Sequence, residues 1–287
     1  MTAIQFRRFF STDSAKAIKG QSFGYLNAIN YMSPHTAGGV GNLCSHASPG
    51  CIALCLGLHS GQAAMRKEGQ DNLVTLSRKR KAQYFMHGRQ AFMCEMAIHI
   101  AKEYRRSRKM GLKLVVRPNG STDIAYEGIR FDIDADLANE IRAITGMIVP
   151  MGRLTIFELF SFVQFVDYTK NHYRFGRVLP VNYSLTFSRS EINDGKAIEL
   201  LNRGINVAVV FAKSLPASWN GFVVINGDEH DLRHLDPRGA RGFVIGLLPK
   251  GNKAKKETIG FVVRNAANAS AAHATPQCNP RDYAAAA

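Results

Sequence analysis

Short apolar runs alternate with helical stretches along most of this chain, and each run stops at glycine or a polar group. That alternation constrains the fold more than any other feature, because it is the mark of strands laid parallel and joined by helices. Runs at 21–32, 112–117, 164–168, 181–187, 206–211, 222–225 and 242–247 read as strands. Between them, 73–110 reads as one long helix capped by Asn72 and stopped by Gly111, with shorter helices at 155–162 and 192–203. The expected fold class is α/β, a partial or full parallel βα barrel of the TIM-barrel type spanning 21–264. A basic arm at 1–20 precedes it, and an Ala/Asn/Ser-rich tail at 265–287 reads as disordered.

Five cysteines occur in 287 residues, and three of them fall in one glycine-bounded loop at 42–57: Cys44, Cys51 and Cys55. The spacing, C-x6-C-x3-C, puts three soft thiolates within reach of one centre. A closed structural zinc site or a ferredoxin-type cluster uses four protein ligands, whereas three thiolates leave one iron of a [4Fe–4S] cluster open to a further ligand. Zinc stays an alternative, with His46 or Cys94 as the fourth ligand. Buried, metal-free thiols are the plainest reading. The odd count argues against a disulfide framework, and the expected compartment is the cytoplasm. No apolar run is long enough to span a membrane, and no export signal is evident at Met1.

Lysine and arginine total 37 against 22 acidic residues, a net charge of +15. Such an excess points to an anionic partner, nucleic acid or a nucleotide. The cations concentrate after the cysteine loop, from Arg66-Lys67 through Arg78-Lys-Arg-Lys81 and Arg89 to Lys102 and Arg105–Lys109. They read either as a phosphate-binding stripe or as a solvated helix face.

In a parallel barrel, function gathers where strands end at their carboxyl side. Polar residues recur at those places: Arg117, Asn119, Gly120 and Asp123 after the second strand, then Asp167 and Lys170, then Ser188 and Arg189, and Asp228 after 222–225. The backbone of 118–122 (Pro-Asn-Gly-Ser-Thr) suits close approach to a ligand. The arginines and Lys170 suit an anion, and the aspartates suit hydroxyls or an amine. A hydrolytic reading, with Asp123, Asp167, Asp228 and Asp231 around magnesium, lacks a compact carboxylate motif.

The blocks Asn42-Leu-Cys44, Ala47-Ser-Pro-Gly-Cys51, Cys55-Leu, Arg117-Pro-Asn-Gly-Ser-Thr-Asp-Ile124, Asp167-Tyr-Thr-Lys170, Ser188-Arg-Ser-Glu191 and Gly227-Asp resemble, in order, those of an uncharacterised family of bacteriophage and mobile-element proteins. Three cysteines after the first strand of a βα barrel also resemble the radical S-adenosylmethionine superfamily, here with a wider cysteine spacing. That resemblance implies a [4Fe–4S] cluster on Cys44, Cys51 and Cys55, S-adenosylmethionine on its open iron, and Asn119-Gly120 in the place of that superfamily's glycine-containing motif. The function expected is a phage-type iron–sulfur protein acting on nucleic acid or a nucleotide. The alternative is a non-enzymatic, metal-stabilised nucleic-acid-binding protein.

Overall fold

The computed structural model describes residues 6–65 and 70–264. Among the described residues ten strands form: β1 (Tyr25–Ile29), β2 (Lys113–Arg117), β3 (Phe131–Ile133), β4 (Gly152–Leu154), β5 (Gln164–Thr169), β6 (Tyr183–Ser188), β7 (Val207–Val210), β8 (Ser218–Trp219), β9 (Phe222–Asn226) and β10 (Val244–Leu247). Eight of them make one sheet in the order β1-β2-β5-β6-β7-β10-β9-β8, and β3 pairs antiparallel with β4 in a small second sheet. Within the large sheet every pairing is parallel except the β8–β9 edge. The mostly parallel α/β class read from the sequence is therefore present. From β1 to β7 the strands add in chain order in one direction, so their carboxyl ends lie along a single rim.

The helices are α1 (Ala15–Lys19), α2 (Pro49–Ala53), α3 (Leu56–His59), α4 (Leu73–His87), α5 (Arg89–Lys109), α6 (Ala135–Thr145), α7 (Ile156–Leu159), α8 (Asp194–Asn202) and α9 (Asn252–Lys256). Strand alternation decides which sheet face they cover. Leu26, Ala28, Leu114, Val116 and Phe165 pack with Phe92, Met93, Met96, Ala97 and Ile100 of α5. Phe187, Val207 and Val209 pack with Ala197, Leu200 and Leu201 of α8. The opposite face carries Val115 and Val166 and is closed by Leu232 and Leu235 of the segment following β9. Among the described residues, no helix is long and apolar enough to cross a membrane.

Several boundaries move. The first strand is the five-residue β1, because Gly20–Phe23 coils into a 3-10 helix that ends at Gly24, φ 82°. The helix expected at 73–110 is two helices, since α4 stops at Gly88 and α5 begins at Arg89. The stretch at 155–162 yields only the single turn α7, capped by a reciprocal Thr155–Glu158 box. The described part of the expected basic arm is packed in: Phe9 and Phe10 are buried, and Ser11 exchanges backbone hydrogen bonds with Ile29 at 2.8 and 2.9 Å. The expected tail at 265–287, with Cys278, and the cations Arg66 and Lys67 lie outside the described residues.

Candidate functional site at the strand carboxyl ends

The loop that leaves β1 folds over the rim formed by the other parallel strands. Asn30 starts it, donating its backbone N–H to the Arg117 carbonyl and its side-chain amide to the Pro118 carbonyl, at 3.0 and 3.2 Å. Further on, Asn42 accepts the Cys44 N–H at 2.8 Å, and the Cys44 sulfur accepts the His35 N–H at 3.3 Å and faces the Ser121 carbonyl at 3.8 Å. Ser48 caps α2 by accepting the Cys51 N–H at 3.1 Å. Cys55 begins α3, and Gly57 lies so close to Ser121 that an added Cβ would stand 2.7 Å from the serine Cβ.

The three loop thiols are neighbours. Burial pushes Cys44 up to about 12, with Cys55 and Cys51 each adding a smaller rise. Burial also pushes Cys55 up to about 11, with Cys51 raising it further and Arg78 opposing that rise. All three cysteines are free thiols. Ligation by a metal would therefore have to displace protons that burial holds on Cys44 and Cys55. Among the described residues, no group of three or more His, Cys, Asp or Glu side chains is arranged to hold a metal ion. The three cysteines therefore do not stand as a preassembled metal site. A lone zinc ion would need thiolates about 3.8 Å apart around Zn–S bonds of about 2.3 Å. A polynuclear cluster spreads its thiolates over separate iron corners and asks for a wider triangle. His46 is exposed, its ring beside Ser45 and 6.3 Å from that of Tyr173, and Cys94 on α5 has Gln90, Asp132 and Asp134 as neighbours.

The predicted strand-end residues divide into two groups. Asn119, Gly120, Asp123, Lys170 and Ser188 form a connected network beneath the cysteine loop. The Gly120 N–H donates to the Asn30 carbonyl at 2.8 Å, and a Cβ there would meet the same oxygen at 2.6 Å. The Asp123 N–H donates to the Leu43 carbonyl at 2.9 Å, while its carboxylate accepts the Lys170 N–H at 2.8 Å and Arg174 at 3.2 Å. Lys170 Nζ donates to Ser188 Oγ at 2.8 Å.

Of the remaining four, Asp167 and Arg117 touch this network through Asn119, Arg117 donating to its carbonyl at 3.1 Å, and Arg189 and Asp228 sit elsewhere. Asp167 is fully buried and accepts from the Asn119 N–H, the Asn119 side-chain amide and the Tyr183 hydroxyl, which makes it an anchor for the 118–124 loop. Arg117 turns to the other sheet face and pairs with Asp231 at 2.9 Å, over the Tyr168 ring. Arg189 grips Asp194 and the carbonyls of Gly260 and Phe261, holding the last described segment. Asp228 accepts the Leu248 N–H at 2.7 Å and lies 3.7 Å from Lys250.

Two residues with roles here carry none in the sequence reading. Glu191 accepts from Ser48 Oγ at 2.8 Å and from the Gly50 N–H at 2.7 Å, reaching from the end of β6 to the helix that carries Cys51. Arg174 forms a bidentate pair with Glu127 at 2.7 Å, locking the network from below. Glu191 ends the Ser188-Arg-Ser block, and that adjacency is its only sequence signal. Nothing near Arg174 in sequence announces its partners, which are 47 and 51 positions away.

The basic run after the loop also divides. Arg78 turns inward, donating to the Gly57 carbonyl and stacking on Tyr31, and Lys81 is buried with its ammonium on the Phe9 carbonyl and near Asn30 Oδ1. Lys79 pairs with Asp71 at 2.6 Å, and Arg80 is exposed. A stripe through 78–81 is therefore not a solvent-facing one. Lys102, Arg105, Arg106, Arg108 and Lys109 are exposed on the last turns of α5. Because α5 leads through Gly111 into the start of β2, that cluster lies at the pole opposite the cysteine loop.

A family model for Gene product 88 matches residues 8–265. The chain belongs to the Gene product 88 family. This is an uncharacterised phage-type family, in keeping with the resemblance read from the ordered sequence blocks. The match begins just ahead of the buried Phe9 and Phe10 and ends just past β10 and the Arg189 clamp, so the whole sheet belongs to the family unit. No curated protein and no solved structure matches the chain.

Proposed function

We propose that this Gene product 88 protein carries an iron–sulfur centre on Cys44, Cys51 and Cys55, at the mouth of a partial βα barrel. One observation carries the reading: Cys44, Cys51 and Cys55, all free and buried or half-buried, lie in one loop that is pinned to Ser121 and Glu191 over the rim where the parallel strands end. With three protein thiolates, one iron would remain for an external ligand. The radical S-adenosylmethionine resemblance makes that cofactor the first ligand to try, and a nucleic acid or nucleotide the first substrate class. If the cofactor binds, it supplies the radical chemistry. The protein's own contribution is shape: Gly120 and Gly57 let the loops close, and the Asp123–Lys170–Ser188 network fixes the floor beneath them.

Protein purified without oxygen and reconstituted with iron and sulfide is expected to hold about four irons and comparable sulfide per chain. Stoichiometric zinc without sulfide would instead favour the second reading, a metal-stabilised nucleic-acid-binding protein. The exposed cations of α5 favour nucleic-acid contact under either reading, on a face away from the cysteines.

A further inference from the structure

Cys51 is held from a distance, and the residue that holds it follows a different strand. Ser48 Oγ accepts the Cys51 N–H at 3.1 Å and donates its own hydrogen to Glu191 Oε2 at 2.8 Å. The other carboxylate oxygen of Glu191 accepts the Gly50 N–H at 2.7 Å. One side chain thus occupies both a backbone donor at the start of α2 and the hydroxyl that caps it. The approach is so close that a Cβ on Gly50 would stand 2.7 Å from Glu191 Oε2. Gly50 has no positive φ, so the glycine is required by this contact and not by backbone conformation. Ser48 and Gly50 are both buried, and Glu191 lies just beyond the end of β6.

We propose that Glu191 is the positioning residue of the cysteine centre, setting the place of Cys51 through Ser48 and tying the cysteine loop to the loop between β6 and α8. The inference rests on the reading of the cysteines as a metal centre, but the clamp itself acts on the metal-free loop. A carboxylate is needed because it must accept two hydrogens at once, from a hydroxyl and an amide. A glutamine carbonyl can accept the Gly50 hydrogen, but its NH2 can only donate, so the Ser48 bond would reverse direction and lose the carboxylate's charge. By fixing the first turn of α2, the clamp also sets how readily a reagent reaches the Cys51 sulfur.

The test has two arms. In the first, metal-free, reduced full-length protein is alkylated with iodoacetamide, and each cysteine is followed by mass spectrometry. In Glu191→Gln and Gly50→Ala, Cys51 should react about tenfold faster than in the wild type, the factor that a broken charge-assisted hydrogen bond carries. Cys94, on α5, should keep its rate, and this separates release of the clamp from general loosening. Glu191→Asp, which retains the carboxylate, should fall between. In the second arm, Co2+ is titrated as a probe of thiolate ligation, and the sulfur-to-cobalt absorption should weaken in Glu191→Gln. An unchanged Cys51 rate in both Glu191→Gln and Gly50→Ala, or an equal rise at Cys94, overturns the positioning role. A wild type that takes up neither Co2+ nor iron sinks the metal reading, while the alkylation arm still decides the clamp.

Discussion

Two histidines carry a pH dependence that their surroundings dictate. His99 is pushed down to about 4, first by burial and then by Lys102 and Lys81, and its ring stacks on that of Phe9 at 5.4 Å. His234 is pushed down to about 3, first by burial and then by His230 and Arg238, with its ring edge-on to Tyr25. Both are neutral in the folded protein at pH 7 and ionise near about 6.5 when unfolded. Their stabilisation is therefore complete above that value and is lost as pH falls from it toward the folded pKa. Between about pH 7 and 5, His99 alone should account for about 2 kcal/mol of lost stability. Urea unfolding at the two pH values checks this: His99→Gln should show a shallower loss than the wild type, and parallel curves would refute it. Lys81 follows the same rule at higher pH, pushed down to about 7 by burial and then by Arg78. Its stabilisation should rise between pH 7 and 10.5, and Lys81→Met should flatten that rise. None of this is legible in sequence. Lys81 sits in a run of four cations and reads as surface, and only the helical phase that turns Arg78 and Lys81 inward makes it a buried pin for Phe9.

At the scale of elements, the rim depends on close backbone approach, and the glycines separate cleanly by that criterion. Gly120→Ala would put a methyl 2.6 Å from the Asn30 carbonyl and 2.7 Å from Ile29 Cγ2, so it should destabilise by about 1–3 kcal/mol or more. Gly128→Ala meets nothing within 4 Å and has no positive φ, so thermal melts should find it neutral or slightly stabilising. Equal effects of the two would contradict the packing described here. The sequence marks 118–122 as a place of close approach, but for a ligand; the group that approaches Gly120 is the chain's own Asn30. Strands with β-branched runs, such as β2 and β7, are legible because a buried parallel strand is almost continuously apolar. The three-residue β3 and β4 are not, since so short a segment carries no period. Helix α6 escapes the sequence reading although Asp134 caps it and Gly146, φ 74°, ends it. The one helix read over 73–110 is two because Gly88 intervenes, a signal present in the sequence and outweighed by the periodicity on either side.

Over the whole molecule, the two poles differ in character: cysteines, Asp123 and Glu191 at the carboxyl rim, exposed cations where α5 ends. The net charge of +15 would suit a polyanionic partner but does not say which face would meet one. Replacing Arg105, Arg106, Arg108 and Lys109 by glutamine should weaken binding to nucleic acid about equally for all sequences. It should also lower the salt slope by roughly 0.7–0.9 for each phosphate that the variant no longer neutralises. Replacing the inward-facing Arg78 and Lys81 should cost stability instead, and a titration in which that pair alone changes the salt slope would contradict the assignment. The cysteine spacing is the most legible part of the candidate site, and its place over the strand ends follows from β1 being parallel to β2. The central claim is that three cysteines, and not four, make the metal centre. It is tested most directly by iron and sulfide content, measured after anaerobic reconstitution of the wild type and of each cysteine variant. Cys44→Ser, Cys51→Ser and Cys55→Ser should each empty the site, and Cys94→Ser should retain the full wild-type content. A Cys94→Ser protein as empty as the other three, or a wild type that holds no iron, would contradict it.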